Sequence, residues 1–317
     1  MNSSSYNYNV SSSQIYRVNS SQTATGSVIA VTLGFIINYI NGTLIHTFRK
    51  HRIFYTNPRY ILFIHLVVND MIQLTTSITL LVLNNIFYKM NASLCLPIIV
   101  AAVITTMNTP LNLAVMAVEC YIAVCFPLRH AELCTIKRTN ILIGCIWALS
   151  SVTIVPDIFF YLAADPLWFF YSIATCERDN MFQHTVSLQK RTITYITFLT
   201  IVWFTLLFTY FKIFFAAQAA NSVDGNAKKA RNTILLHGFQ LLLCMLTYVA
   251  PEVKNYISFL PKYVSEVRFF WYIFVYILPR FISPIVYGLR DKTFKLYLKK
   301  NLLFNRVGNK PYSQGNF

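Results

Sequence analysis

The side chains best placed to do chemistry in this chain are the few ionisable ones set inside long apolar stretches. Asp70 and Arg280 each lie within such a stretch, and Glu119 lies at the end of another. A charge held in a bilayer core is expensive, so a residue kept there is a functional candidate by default. On this reading Asp70 is the only acid deep in the outer-to-middle part of the spans, and Arg280 the only Lys or Arg at comparable depth. Such residues support charge pairing and switching rather than bond breaking. An enzyme or metal centre would need clustered His, Asp, Glu or Cys at ligand spacing. The six histidines, at 46, 51, 65, 130, 184 and 237, are dispersed, with no His-x-x-x-His. No catalytic residue, metal ligand or cofactor is expected.

The elements that must position these residues are seven apolar blocks, at about 25–48, 59–84, 95–126, 139–161, 191–217, 231–251 and 267–288. Each has the length, near twenty residues, that crosses a hydrocarbon core of about 30 Å as a helix. The chain is 56% hydrophobic and 12% charged, against about 25% charged for soluble domains. Helices satisfy their own backbone in lipid, and no ten-residue alternating segments suggest a barrel. The predicted fold is an all-α membrane protein: a seven-transmembrane helix bundle with a short amphipathic helix after the seventh span. Residues 1–24 read as a polar extracellular leader, 25–290 as the membrane domain, and 291–317 as a cytoplasmic amphipathic helix and tail. In that helix Phe294, Tyr297, Leu298 and Leu302 share one face, while Lys292, Lys295, Lys299 and Lys300 can reach membrane lipid phosphates; a solvated basic tail is the alternative.

Basic residues set the orientation. Arg49, Lys50, Arg52, Arg59, Arg129, Lys137, Arg138, Lys212, Lys228, Lys229 and Arg231, with the basic carboxyl-terminal tail, fall on one side. The positive-inside rule then puts the amino terminus outside and the tail in the cytosol, as in a multi-pass plasma-membrane protein. The net charge of +16 is accordingly a topology signal, and nucleic acid is not an expected partner. Sequons at Asn2, Asn9, Asn19 and Asn91 share the outer side, whereas Asn41-Gly-Thr is buried in the first span. Of seven cysteines only Cys95 and Cys176 fall on the oxidising side. Their pairing would staple a loop over the bundle; two unpaired thiols are the alternative.

Met116-Ala-Val-Glu-Cys-Tyr-Ile-Ala-Val-Cys-Phe-Pro-Leu-Arg-His130 closes the third block. It resembles the MA-x-(D/E)-R-Y-x-A-(I/V)-C-x-P-L signature of vertebrate odorant receptors, within the rhodopsin-like G-protein-coupled receptors. Further runs resemble the same family in the same order: Ile40-Asn41-Gly42, Asn57-Pro58-Arg59-Tyr60, Leu66-Val67-Val68-Asn69-Asp70, Trp147, Lys229-Ala230-Arg231-Asn232-Thr233 with His237, and Ser283-Pro284-Ile285-Val286-Tyr287. The wording is more similar to fish than to mammalian odorant receptors. Cys120 departs from the pattern, standing where relatives carry Arg.

The resemblance implies a receptor that binds a small-molecule odorant and activates a heterotrimeric G protein of the stimulatory olfactory type, raising cyclic AMP. It implies an activation set of Asp70, Glu119, Cys120, Tyr121, His237, Arg280, Ser283, Pro284 and Tyr287. In relatives a sodium ion often accompanies the acid at the Asp70 position, so Arg280 is expected to project toward Asp70 and replace that ion with a fixed cation; the alternative is that Arg280 faces a wet cavity or snorkels. With Cys120 unable to pair with Glu119, Tyr121, Tyr287, His237, Lys228, Lys229 and Arg231 are expected to take over; a nonfunctional receptor is the alternative. The ligand site is expected in the outer half, under the Cys176 loop: Ala102, Val103, Thr106 and Met107, with Arg178, Met245, Tyr248, Val249, Glu252, Tyr272, Ile273 and Tyr276. Amine receptors place Asp at the Ala102 position, which argues against an amine bound in their manner. Arg178, Lys190, Arg191 and Arg268 could draw in anionic ligands. A pheromone or lipid-acid receptor of the same fold is the nearer alternative, a transporter or channel the more distant one.

Overall fold

The structure, a computed structural model, describes the backbone of residues 3–307 except 88, 165–170, 172, 183–184, 220–231, 233–234, 237, 244, 247–263 and 283–291, with most of these side chains between 24 and 300. Helix α1 (Ser3–Lys50) is apolar from Ala24 and ends on Arg49 and Lys50, cations that suit the negative end of a helix. A short 3-10 turn (Arg52–Phe54) leads to α2 (Pro58–Ile86). Asn57 caps α2 by accepting from the Arg59 N–H at 3.0 Å, and Pro58 opens the helix where no N–H is needed. Asn91 caps α3 (Ala92–Cys125) in the same way, through the Ser93 N–H at 3.2 Å. Strands β1 (Met90–Asn91) and β2 (Ile173–Ala174) pair antiparallel beside the start of α3, Met90 opposite Ala174.

Pro127 starts α4 (Pro127–Leu133), and Thr135 caps α5 (Ile136–Ser151). The fourth block, read as one helix, is two: α5 gives way to α6 (Val155–Ala164). Pro156 has no N–H to offer the Val152 carbonyl, and the chain tightens through i→i+3 bonds at Thr153 and Ile154 before restarting. Then come α7 (Arg178–Met181) and the long α8 (Thr185–Ala219). The described residues of the sixth block, 232, 235–236, 238–243 and 245–246, are helical. The seventh runs as α9 (Val264–Tyr272), a π turn (Ile273–Ile277) and a helical stretch to 282. Helix α10 (Lys292–Val307) follows.

Four described helices, Ala24–Lys50, Pro58–Ile86, Ala92–Cys125 and Val186–Ala216, are long and apolar enough to cross a membrane. Helix α3 is the central strut, packed on α2, α5 and α8. Asn69, Asp70, Gln73, Asn108, Thr109 and Asn112 are buried, while Phe35, Tyr39, Phe204, Phe211 and Phe215 are exposed. This arrangement suits a bundle whose surroundings are hydrocarbon, where polar groups must find partners inside. The inner core gathers Leu44, Phe48, Phe54, Leu62, Leu66, Leu113, Leu206 and Leu241. Helix α10 is bolted onto it: Phe294 is 1% exposed, its ring 5.1 Å from Phe54 and 5.6 Å from Phe63, and Tyr297 lies 4.5 Å from His51. Lys295, Lys299 and Lys300 face outward, whereas the side chain of Leu302 lies outside the described residues.

Candidate functional site

At the end of the bundle where α2, α3 and α4 meet, Glu119 lies in the last turns of α3 and is only 6% exposed. Arg59, second residue of α2, donates to Glu119 Oε2 from Nε at 3.0 Å and to Oε1 from Nη2 at 3.4 Å, and His130 Nε2 of α4 lies 3.1 Å from the same Oε1. Both partners differ from the expected ones. Tyr121 packs edge-on against Phe126 and Phe208 instead, and Cys120 packs with Ile213. His237, Tyr287 and the basic run 228–231 lie outside the described residues. Nearby, the Cys134 thiol is pushed above the ordinary thiol range, first by burial and then by the Glu119 carboxylate. Arg138 Nη1 donates to the carbonyls of Glu132 and Leu133, closing the exposed end of α4.

In mid-bundle a polar chain crosses from α2 to α3. Asn69 Nδ2 donates to the Thr105 carbonyl at 2.9 Å and to Thr109 Oγ1 at 3.0 Å, Thr109 donates to Gln73, and Gln73 Nε2 donates to Thr106 Oγ1 at 2.7 Å. Trp147 Nε1 donates to His65 Nε2 at 2.9 Å. Indole nitrogen only donates, so the His65 proton sits on Nδ1 and is given to Asn112 Oδ1 at 3.3 Å. His65 is a functional candidate that its isolation among the histidines concealed; its place inside the second span was the available signal.

Asp70 and Arg280 are both buried at 2% exposure, but among the described residues no ion pair joins them. Arg280 Nη1 donates instead to the Val275 carbonyl at 2.8 Å. The reason is local: Pro279 has no N–H for that carbonyl, and the π turn before it adds a residue per turn, shifting Arg280 from the face a regular helix would give it. Ser283 and Pro284 lie outside the described residues.

At the opposite end of the bundle Cys95 and Cys176 are disulfide-bonded, with Cα atoms 5.5 Å apart. Asn84 holds the same loop by a reciprocal pair, giving Nδ2 to the Cys176 carbonyl at 3.2 Å and accepting the Cys176 N–H at 3.1 Å. Beside it Asp157 of α6 is a second buried acid, correcting the reading of Asp70 as the only one at depth. Lys190 is hydrogen-bonded to Asp157, and Arg178 Nη2 lies 3.5 Å from its other oxygen. Arg178 also bonds the Tyr195 hydroxyl and the Thr153 carbonyl. Two of the cations read as outer-mouth attractors are thus turned onto an acid of the chain itself; the Arg268 side chain lies outside the described residues.

Of the expected ligand contacts, Val103 joins the core with Ile99, Ile154 and Met181, and Met107 is buried. Thr106 is tied to Gln73, and Ala102 is half-buried one turn above it, its carbonyl accepting from Thr106 Oγ1 at 2.7 Å. Met245 sulfur accepts from Trp203 Nε1 at 2.8 Å. Tyr272 and Tyr276 stand with ring centroids 5.2 Å apart, Ile273 between them in sequence, and the buried Tyr272 hydroxyl takes no hydrogen bond among the described residues. Tyr248, Val249 and Glu252 lie outside them, as do the side chains of Asn2, Asn9 and Asn19. Asn91 serves as the α3 cap, and Asn41 is fully buried.

The chain matches the family model described as 7 transmembrane receptor (rhodopsin family) over residues 40–287. It belongs to the rhodopsin family of seven-transmembrane receptors. Odorant receptor 131-2 of Danio rerio is 32% identical over 279 residues, 86% of this chain and 83% of that protein. Growth hormone secretagogue receptor type 1 of Mustela putorius furo is 24% identical over 238 residues, 66% of this chain and 60% of that protein. As a rhodopsin-family member the chain is a multi-pass membrane receptor and not an enzyme. For such a receptor the Asp157 and Glu119 clusters mark the two ends of the bundle, one under the stapled loop and one where α2, α3 and α4 meet.

Proposed function

We propose that the chain is an odorant receptor of the plasma membrane, with its amino terminus extracellular. It binds a small odorant in the outer half of the bundle and activates a heterotrimeric G protein of the stimulatory olfactory type. The observation that carries this reading is the similarity to odorant receptor 131-2 across most of both chains. The Cys95–Cys176 staple supports it by fixing a roof near α3, and the Tyr272 hydroxyl by offering a buried group that a polar ligand atom would satisfy. An odorant acts by preferring the state with an open inner face, so its effect is bounded by its differential affinity for the two states.

The test is a cell reporter screen against amines, amino acids, fatty acids and prostanoid-like acids, reading cyclic AMP beside ion flux. A ligand-dependent rise in cyclic AMP without flux is the expected result. Ligand-gated flux without cyclic AMP would overturn the reading in favour of a channel or transporter.

A further inference from the structure

Among the described residues the cluster around Asp157 carries one positive charge more than it can neutralise. Asp157 is buried and meets two cations from different elements, Lys190 of α8 on Oδ1 and Arg178 of α7 at 3.5 Å from Oδ2. Glu177 and Arg191, next in sequence to the two cations, are of opposite sign and leave that balance as it is. Asp157 Oδ2 takes no hydrogen bond among the described residues, so Arg178 meets the acid as a nearby charge and not as a bonded partner. Arg178 is otherwise committed: it donates to the Tyr195 hydroxyl and, at 3.3 Å, to the Thr153 carbonyl, and its guanidinium carbon lies 5.7 Å from the Tyr195 ring centroid. Lys190 differs. Its ammonium has three donors, Asp157 accepts from it on one oxygen, and it is 31% exposed against 13% for Arg178. An excess charge held away from water is costly, and a second anion offsets it. Apolar side chains stand beside the charges: Ile154 and Met181 pack with Ile99 and Val103, and Ile158 joins them. The disulfide and the two Asn84 bonds fix Cys176, two residues before Arg178, so the loop that carries this cation is held in place.

We propose that Lys190 and Arg178 form an anion-binding subsite, and that the ligand of this receptor is an amphiphile whose carboxylate completes the cluster as two cations and two anions. This deepens the odorant-receptor reading above and rests on it for what the ligand does. Lys190 receives the carboxylate, because it keeps donors to give and is the more exposed of the two cations. Arg178 adds its charge from behind, and Asp157 is a positioning residue that holds both. The apolar side chains beside the charges take the ligand's hydrocarbon part. A neutral alcohol of the same length leaves the surplus charge unmet, and an amine adds a third cation to it.

The test uses the full chain in lipid nanodiscs without G protein, and octanoate, octanol and octylamine as probes. Two quantities are read: the shift in melting temperature against probe concentration, which gives an affinity, and the rate of Lys190 acetylation, followed by mass spectrometry. Octanoate is expected to bind about tenfold more tightly than either other probe, the scale of one hydrogen bond to a charged group. It should also slow Lys190 acetylation, which octanol should not. Lys190→Gln should weaken octanoate about tenfold and leave octanol unchanged, and Lys190→Arg should keep the preference. Asp157→Asn, which removes the internal acid, should strengthen octanoate. A purely structural cluster would move all three probes together. Octanoate bound no better than octanol, or variants that shift both alike, would overturn the subsite. Where a variant does not reach the membrane, the unaltered chain decides: Lys190 acetylated equally fast with and without octanoate overturns the subsite. Octanoate that binds with the stated preference but raises no cyclic AMP in cells upholds the subsite and overturns the odorant-receptor reading.

Discussion

Cys134 gives a chemical reading of the charge on Glu119. Burial and the Glu119 carboxylate both hold its thiol above the ordinary range, while Arg138 and Arg59 pull the other way. The thiolate is the nucleophile, so alkylation of Cys134 should reach its plateau at a higher pH than that of an exposed cysteine. Glu119→Gln removes a negative charge and moves that midpoint down; Arg59→Gln removes a positive one and moves it up. Mass-spectrometric alkylation rates against pH, with the other free cysteines replaced by serine, check this, and shifts of the same sign would contradict it. Tyr272→Phe makes a separate case. It deletes a buried hydroxyl with no partner among the described residues, so thermal unfolding should be unchanged or stabilised by up to about 1 kcal/mol. A fall in melting temperature would mean the hydroxyl already has a structural role. At this scale the burial of Asp70 and Arg280 is legible in the sequence, since a charge inside an apolar run has few other places to be. Their partners are not, because partner choice turns on helix phase. Pro279 carried the missing signal: a residue without N–H leaves the Val275 carbonyl for Arg280 to take.

The elements follow the apolar blocks closely, with α2 at Pro58–Ile86 where 59–84 was expected and α3 at Ala92–Cys125 where 95–126 was. Hydrophobic length is set by the bilayer, so it survives in composition alone. The breaks were less legible than the spans. Pro156 divides the fourth helix, yet Pro97 and Pro110 lie inside α3 without ending it, because neighbouring helices decide whether a freed carbonyl is tolerated. The outer staple yields an element-scale prediction. Cys95→Ser and Cys176→Ser should each lower surface expression to the same degree, consistent with a disulfide's typical ~2–4 kcal/mol, with little further loss in the double variant. Flow cytometry of surface and total receptor measures this, and fully additive losses would contradict it. Helix α10 yields another. Phe294→Ala opens a hole between α10, Phe54 and Phe63, where such a truncation costs about 3–5 kcal/mol. Amide exchange should accelerate through residues 293–300 while α3 is unchanged; uniform acceleration would show that α10 is no separate unit.

The described molecule is a bundle with a buried set of polar residues and many exposed aromatic ones, fastened at one end by a disulfide and at the other by a carboxylate with two partners. Its class was legible because seven apolar blocks, basic loops and a family-like motif agree. The departure at Cys120 was legible too, but Arg59 and His130 lie 60 and 11 residues from Glu119 along the chain, and only the packing of α2 and α4 against α3 brings them to it. The measurement that bears most directly on the molecule as a ligand-driven receptor is guanine-nucleotide exchange on purified stimulatory heterotrimer. It is made with the chain in nanodiscs and the compound that gives the strongest cyclic AMP response in cells. The expected result is a saturable, compound-dependent acceleration that is lost when the heterotrimer is replaced by one of another class. Acceleration that ignores the compound, or a compound that binds without changing the rate, would contradict it.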